Sequence, residues 1–259
     1  MPQKQKTNVF PPVSVSQNFL TSAKTVQRLL RLTSITKTDH VVEIGAGKGH
    51  ITRELARRCR AVTAYEIDRG LCAKLAGSPE LPGNVTLLCR DFLTASLPDT
   101  GDYKVLSNIP FSVTTPILRK LTTARNPPRE AWLIVEKGAA KRFCGKPFDA
   151  TASLLLKPFF DLSVVYHFER RDFHPMPSCD AVLLRIHKKT QPDIPAARQK
   201  SFHYFIEKGM RYGVHTLLTK KQIGTALKLA GLPSISTSGT MLYVQWLCLF
   251  RCWARCNGL

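Results

Sequence analysis

The chain's 259 residues, 44% of them hydrophobic, suffice for one sizeable α/β core with a small second module and are too apolar for a disordered polymer. Lys and Arg outnumber Asp and Glu by 38 to 18, and the net charge of +20 points to a polyanionic partner, nucleic acid foremost, rather than to a small neutral substrate. No run approaches the ~18 uninterrupted apolar residues of a membrane span, and residues 1–7 are basic with no apolar segment behind them, so a cytoplasmic protein without a membrane partner is expected.

Thr21-Ser22 followed by Val26, Leu29 and Leu30 at i, i+3 and i+4 predicts a capped first helix, and Val41-Val42-Glu43-Ile44 predicts a buried strand feeding a glycine-rich turn. A helix follows from about Ile51 through Leu55 to Cys59. Strand signals recur over residues 61–67, 85–89, 105–107, 132–135 and 182–186, with helical spacing such as Ile117, Leu118 and Leu121 between several of them. Strand alternating with helix makes an α/β fold, a Rossmann-like, doubly wound, mostly parallel sheet. After Ile186 the stretch 187–195 is charged and holds Pro192 and Pro195, the composition of a linker. Beyond it Phe202, Phe205 and Ile206, then Ile223 and Leu227, then Trp246, Leu247 and Phe250 keep helical spacing, interrupted at Gly213 and at Gly231-Leu232-Pro233. That pattern predicts a small module of about three helices. The expected division is a catalytic domain over 1–187, its first 13 residues flexible, and an RNA-contacting helical domain over 188–259.

The cysteines Cys59, Cys72, Cys89, Cys144, Cys179, Cys248, Cys252 and Cys256 contain no Cys-x-x-Cys pair and mostly fall in apolar runs, the pattern of reduced thiols. Cys248, Cys252 and Cys256 recur at four-residue steps on one helix face. A metal site needs a fourth ligand and a fold around it, so these read as packing and no metal is expected.

Chemistry is written at four successive strand ends. Glu43-Ile44-Gly45-Ala46-Gly47-Lys48-Gly49 is a strand-to-helix turn in which backbone passes close to a ligand where a Cβ would collide, a feature shared with dinucleotide enzymes. The next strand ends in Glu66-Ile67-Asp68, and Glu66 lies 21 residues after Gly45, the spacing at which an acid meets ribose hydroxyls. In Cys89-Arg90-Asp91-Phe92, Asp91 offers an acceptor to an adenine amino group and Phe92 an apolar wall. The fourth strand leads into Asn108-Ile109-Pro110-Phe111, an amide, a rigid turn and an aromatic. An exocyclic adenine amine is a poor nucleophile because its lone pair is delocalised into the ring. The Asn108 oxygen and the carbonyl of Ile109 or Pro110 supply acceptors that would hold both amino hydrogens and turn the lone pair toward an electrophilic methyl group, with Phe111 stacked on the base.

These motifs, with Ser16-Gln17-Asn18-Phe19-Leu20 ahead of them, resemble the ribosomal RNA adenine dimethyltransferases and, within that superfamily, the Erm family, which modifies an adenine of large-subunit rRNA in bacteria. Further matches are the run from Leu133 to Arg142, Phe173-His174-Pro175-Met176-Pro177 and Thr219-Lys220-Lys221-Gln222-Ile223, so the likeness extends from about Ser14 to Phe250. It implies a class I methyltransferase with S-adenosylmethionine as methyl donor. By that resemblance Gln17, Asn18 and Leu20 lie near the methionine end of the cofactor, Gly45 and Gly47 at its turn, Glu66 with Ile67 at the ribose, and Asp91 with Phe92 at the adenine. Asn108, Ile109, Pro110 and Phe111 match the positions that hold and stack the target base, Asn108 also bordering the cofactor, and Phe173 matches an aromatic on the base's other face. Phe111 stands where some members have Tyr, a change that keeps the stacking face. The resemblance further implies a monomer acting on 23S rRNA before ribosome assembly is complete, and resistance to macrolide, lincosamide and streptogramin B antibiotics.

Basic residues at Arg119-Lys120, Arg125, Arg129, Lys137, Lys141-Arg142, Lys146, Arg170-Arg171 and Lys188-Lys189 are candidates for an RNA track. A small-subunit rRNA dimethyltransferase shares the cofactor residues and stays open as an alternative, as does a non-catalytic RNA-binding or assembly factor on the same fold. A DNA adenine methyltransferase would more typically begin the catalytic turn with Asp, where this chain has Asn108. A nicotinamide dehydrogenase has no use for the Asn108 turn.

Overall fold

The structure, a computed structural model, describes residues 18–235 and 240–259. Gln17 and the expectation of flexibility over residues 1–13 lie outside the described residues. In chain order the elements are β1 (Phe19–Leu20), α1 (Ala23–Arg31), β2 (His40–Ile44), α2 (His50–Arg58), β3 (Ala61–Glu66), α3 (Arg69–Ala76), β4 (Val85–Cys89) and β5 (Lys104–Asn108). They continue with α4 (Thr114–Thr123), β6 (Glu130–Glu136), α5 (Lys137–Cys144), α6 (Thr151–Leu156), β7 (Phe160–His167), β8 (Phe173–His174) and β9 (Ala181–Lys188), then α7 (Gln199–Tyr212), α8 (Lys220–Leu229) and α9 (Tyr243–Cys256).

Seven strands form one sheet in the order β4-β3-β2-β5-β6-β9-β7. The pairs from β4 to β6 are parallel, and β9 is antiparallel to both β6 and β7. Val41, Val42, Val105, Leu106, Leu133 and Ile134 are fully buried, as strands covered by helices on both faces require. One core holds α1 and α2 against the sheet through Val26, Leu29, Leu30 and Leu55, and a second holds α4 and α5 on the other face through Ile117, Leu118, Leu121 and Phe143. The predicted cap is present, with Ser22 Oγ accepting the Lys24 N–H at 3.2 Å. The sheet grows outward in opposite directions from β2 and β5, and the crevice above such a reversal is where open α/β sheets bind ligands.

Two strand features escaped the hydrophobic pattern. Strand β7 reads Phe-Asp-Leu-Ser-Val-Val-Tyr-His, broken by Asp161 and Ser163 because it is the sheet's outer strand, and its register slips between Val164 and Tyr166. Strands β1 and β8, each two residues long, form a separate antiparallel ribbon with Phe19 opposite His174 and Leu20 opposite Phe173. Nor is 187–195 a free linker. His187 and Lys188 complete β9, the Lys189 N–H donates to the Phe159 carbonyl at 2.8 Å, and the Asp193 N–H to the Pro158 carbonyl at 2.9 Å. The charges that suggested solvent find partners instead, Lys189 with Asp193 at 2.8 Å and the Tyr243 hydroxyl with Asp193 at 2.5 Å.

Helices α7 and α9 enclose a third core of Phe202, Phe205, Ile206, Trp246, Leu249 and Phe250, to which Leu154 of α6 also belongs. The helices approach so closely that a Cβ on Gly209 would lie 2.7 Å from the Trp246 ring. Cys248 and Cys252 pack against this core. The reading of every cysteine as a free thiol is corrected at one pair: α3 lies over β4, their backbones place Cys72 and Cys89 with Cα atoms 5.9 Å apart, and the two are disulfide-bonded. Their separation of 17 residues gave no motif to detect. Among the described residues, no helix is long and apolar enough to cross a membrane.

Candidate active site

The carboxyl ends of β2, β3, β4 and β5 open into a cavity of about 410 Å³. It is lined by Asn18, Leu20, Gly45, Gly47, Glu66, Ile67, Asp91, Phe92 and Asn108, and by Ile109, Pro110 and Phe111, so twelve predicted site residues meet at one place. Neighbours that the sequence reading did not single out include Glu43, Lys48, His50, Tyr65 and Arg90.

The glycine turn is tied to the end of β3. Gly45 and Ala46 N–H groups donate to the Tyr65 carbonyl at 2.8 and 3.0 Å, and the Gly47 N–H donates to Glu66 Oε2 at 2.7 Å. Gly47 adopts φ +56°, and a Cβ there would sit 2.8 Å from the Phe19 ring. The bare backbone lets β1 close over the turn, a cradle that any side chain would fill. Glu66 is 2% exposed, and its Oε1 accepts the Asp68 N–H at 2.8 Å. Asp91 Oδ1 accepts the Leu93 N–H at 2.8 Å, while Phe92 packs edge-on against Tyr65 with centroids 5.3 Å apart.

Lys120 does not join an RNA track. Its ammonium turns inward from α4 and donates to the carbonyls of Phe92 at 2.6 Å and Leu93 at 2.8 Å, and to that of Ala95, while lying 5.0 Å over the Phe92 ring. Desolvation lowers its pKa and the Asp91 carboxylate acts to raise it. A helix-flank lysine whose stem is long enough to reach three loop carbonyls gains more by capping them than by remaining in water.

Asn108 is half-buried, and its Nδ2 donates to the Asn18 carbonyl at 2.6 Å. That bond fixes the amide and leaves Oδ1 as the acceptor. Next to it the Ser107 hydroxyl accepts the Ile44 N–H at 2.7 Å, locking β5 to β2 at the rim. The Pro110 carbonyl accepts the Val113 N–H at 3.1 Å, so the Ile109 carbonyl is the less engaged of the two candidates. Phe111 is half-buried at the cavity wall. Phe173 departs from expectation: it is 2% exposed, stacks on Phe168 with centroids 5.2 Å apart and does not line the cavity. Pairing opposite the buried Leu20 turns its side chain inward beneath the ribbon and leaves its neighbour His174 exposed.

Around this site the protein is basic. Arg119, Lys141 and Arg142 are exposed on α4 and α5, and Arg142 donates to the Thr115 hydroxyl at 3.2 Å, just beyond the Asn108 turn. Lys137 and Arg170 share Asp180, at 3.3 and 3.5 Å.

A doubly wound sheet with an acid-lined cavity at its switch point, and an adenine-type amide turn beside it, defines a class I methyltransferase. Residues 13–236 match the ribosomal RNA adenine dimethylase family. An rRNA adenine N-6-methyltransferase of Staphylococcus aureus is 37% identical over 221 residues, covering 85% of this chain and 89% of that one. The Enterococcus faecalis protein of the same name is 32% identical over 246 residues, covering 95% and 98%. Among solved structures, the 23S rRNA methyltransferase ErmE superposes with a TM-score of 0.77 at 27% identity, covering 91% of this chain and 99% of that one. The chain belongs to the ribosomal RNA adenine dimethylase family, and its reaction is the S-adenosylmethionine-dependent N6-methylation of adenine in ribosomal RNA.

Proposed function

We propose that the protein methylates the exocyclic amine of one unpaired adenine in 23S rRNA twice in succession, and that ribosomes so modified bind macrolide, lincosamide and streptogramin B antibiotics poorly. The observation that carries the site is the anchored Asn108 amide, which lines the same cavity as Phe111, Glu66 and Asp91. The residues fit the donor: the side-chain-free turn at Gly45 and Gly47 lines the cavity, and the carboxyl groups of Glu43, Glu66 and Asp91 border it, a lining suited to a cationic molecule.

When bound, S-adenosylmethionine supplies an electrophilic methyl group on a sulfonium. Asn18 and Leu20 would border its methionine end, Gly45 and Gly47 would admit it, Glu66 and Ile67 would hold the ribose, and Asp91 with Phe92 would take the adenine. Asn108 Oδ1 and the Ile109 carbonyl accept the hydrogens of the target amine and orient its lone pair, and Phe111 stacks on the base. Buried Phe173 supports the ribbon that carries Phe19 over the glycine turn. No residue has to take the proton, which passes to solvent after the displacement, so the chain contributes orientation and a shaped polar pocket.

In this reading residues 1–187 form the catalytic domain and 188–259 an RNA-contacting helical domain of a cytoplasmic monomer that acts before ribosome assembly is complete. Arg119, Lys141 and Arg142 lead the RNA strand toward the target turn. Primer extension on both large rRNAs from a host with and without the gene tests the choice of substrate. A single gene-dependent stop at one adenine of 23S rRNA, with macrolide resistance, is expected; a stop confined to 16S rRNA, or none, overturns it.

A further inference from the structure

Of the carboxyl groups bordering the cavity, Glu66 and Asp91 are held by backbone N–H donors, but Glu43 has no such arrangement. It lies in β2 one residue before the strand's last, is 1% exposed, and its Oε2 has no hydrogen-bond partner among the described residues. A buried carboxylate without donors is unstable as an anion. Burial pushes its pKa up to about 8, the nearby Glu66 carboxylate adding to the rise and the Thr52 hydroxyl opposing it. The other titratable or charged side chains at the cavity are Lys48 and His50 beside the start of α2, Tyr65 in β3, and Arg90 and Asp91 after β4, and among the charged groups only Glu66 acts appreciably on Glu43. Burial without a partner for Oε2 thus favours the uncharged form of Glu43 at the cavity wall.

The methyl donor and its demethylated product differ in charge at the sulfur alone. S-adenosylmethionine carries a sulfonium where S-adenosylhomocysteine has a neutral thioether, while both bear the same ammonium and carboxylate. We propose that Glu43 is a specificity-determining residue that follows the charge of the cofactor: protonated in the free protein and with S-adenosylhomocysteine, deprotonated opposite the sulfonium, so that the cavity favours donor over product. The proton leaves to solvent as the donor binds and returns from solvent once methyl transfer has neutralised the sulfur, leaving the overall release of one proton from the adenine amine unchanged. The inference rests on the cofactor placement proposed above.

Calorimetry of the whole protein at about pH 7, in buffers of different ionisation enthalpy, reads the linkage directly. The expected result is release of nearly one proton per S-adenosylmethionine bound and clearly less per S-adenosylhomocysteine. Donor affinity should rise with pH and level off above about 8, by up to about tenfold per pH unit, relative to product affinity. Glu43→Gln should abolish the difference in proton release and lower the donor-to-product affinity ratio by about tenfold for each unit by which the sulfonium depresses the Glu43 titration. Equal release with both molecules, or none with the donor, overturns the proposal in the unmodified protein even if Glu43→Gln does not fold. Glu66→Ala separates the two readings: retained donor affinity would show that the cofactor lies elsewhere, whereas lost affinity without differential proton release breaks the Glu43 assignment alone.

Discussion

At the ends of β3 and β4, Glu66 and Asp91 are held by N–H groups of their own and neighbouring turns, at 2.7, 2.8 and 2.8 Å, and the loop after Asp91 is capped from α4 by Lys120. At the end of β5 the arrangement is looser. One bond orients Asn108, the Ile109 carbonyl is spared, and the Phe111 ring stands half exposed. In the proposed function the first region, rigidly held, takes the cofactor, while the second offers acceptors and a ring face to a base that RNA must deliver. Charge divides less cleanly, since Lys48 and Arg90 line the cavity together with Glu66 and Asp91. The exposed arginines and lysines of a +20 protein draw RNA phosphates to the surface.

Variants that fail to separate the halves would break this comparison. The largest effect is expected from Asn108→Ala, which removes an acceptor needed in the transition state. Single-turnover methyl transfer to an rRNA fragment should slow by two or more orders of magnitude, about 3 kcal/mol, with the smaller loss falling on donor affinity. A rate loss fully explained by weaker donor binding would move Asn108 to the cofactor half. Glu66→Ala acts on the other side, deleting ribose contacts and releasing the Gly47 and Asp68 N–H groups, so calorimetry should show donor affinity reduced by on the order of 2–3 kcal/mol.

Phe111 sharpens the boundary. Phe111→Ala should weaken methylation of RNA by about 2 kcal/mol while sparing donor binding, and Phe111→Tyr should remain active. Parallel loss of donor affinity in Phe111→Ala and Glu66→Ala would place the ring in the structural core. The smallest effects separate two neighbours on α4. Lys120→Met should cost about 1–2 kcal/mol of donor affinity and leave the salt dependence of RNA binding as it was. Arg119→Ala should keep donor affinity and lower the magnitude of the log K against log salt slope by about 0.7–0.9. An altered slope in Lys120→Met would return that lysine to the RNA surface.

The sequence made the strand-end motifs readable because glycine, acid and amide each occupy a position where backbone and ligand chemistry leave few substitutes. The parallel strands, marked by apolar runs such as Val41-Val42, Leu87-Leu88 and Leu133-Ile134-Val135, were equally plain. What escaped depended on partners far along the chain. A lysine at position 120 flanks the apolar positions 117, 118 and 121, and only the folded loop at 92–95 shows why it turns inward. Phe173 carries a motif's signal, yet two residues of pairing with β1 decide which way its ring points. Glu43 sits inside the most legible motif of all, and its want of a donor becomes visible only when its surroundings are packed.

The Lys120 cap has a further consequence for sequence drift. Apart from its position over the Phe92 ring, the ammonium reads main-chain oxygens, so its bonds to residues 93 and 95 do not depend on the side chains there. Leu93 and Ala95 should therefore be exchangeable for residues of similar bulk, whereas an insertion, a deletion or a proline that reorients those carbonyls severs the tie between the helix behind the Asn108 turn and the loop after Asp91. In a library combining substitutions with single-residue insertions and deletions, positions 93–95 should tolerate changes in side chain far better than changes in length, while Phe92, buried against Tyr65, should tolerate neither.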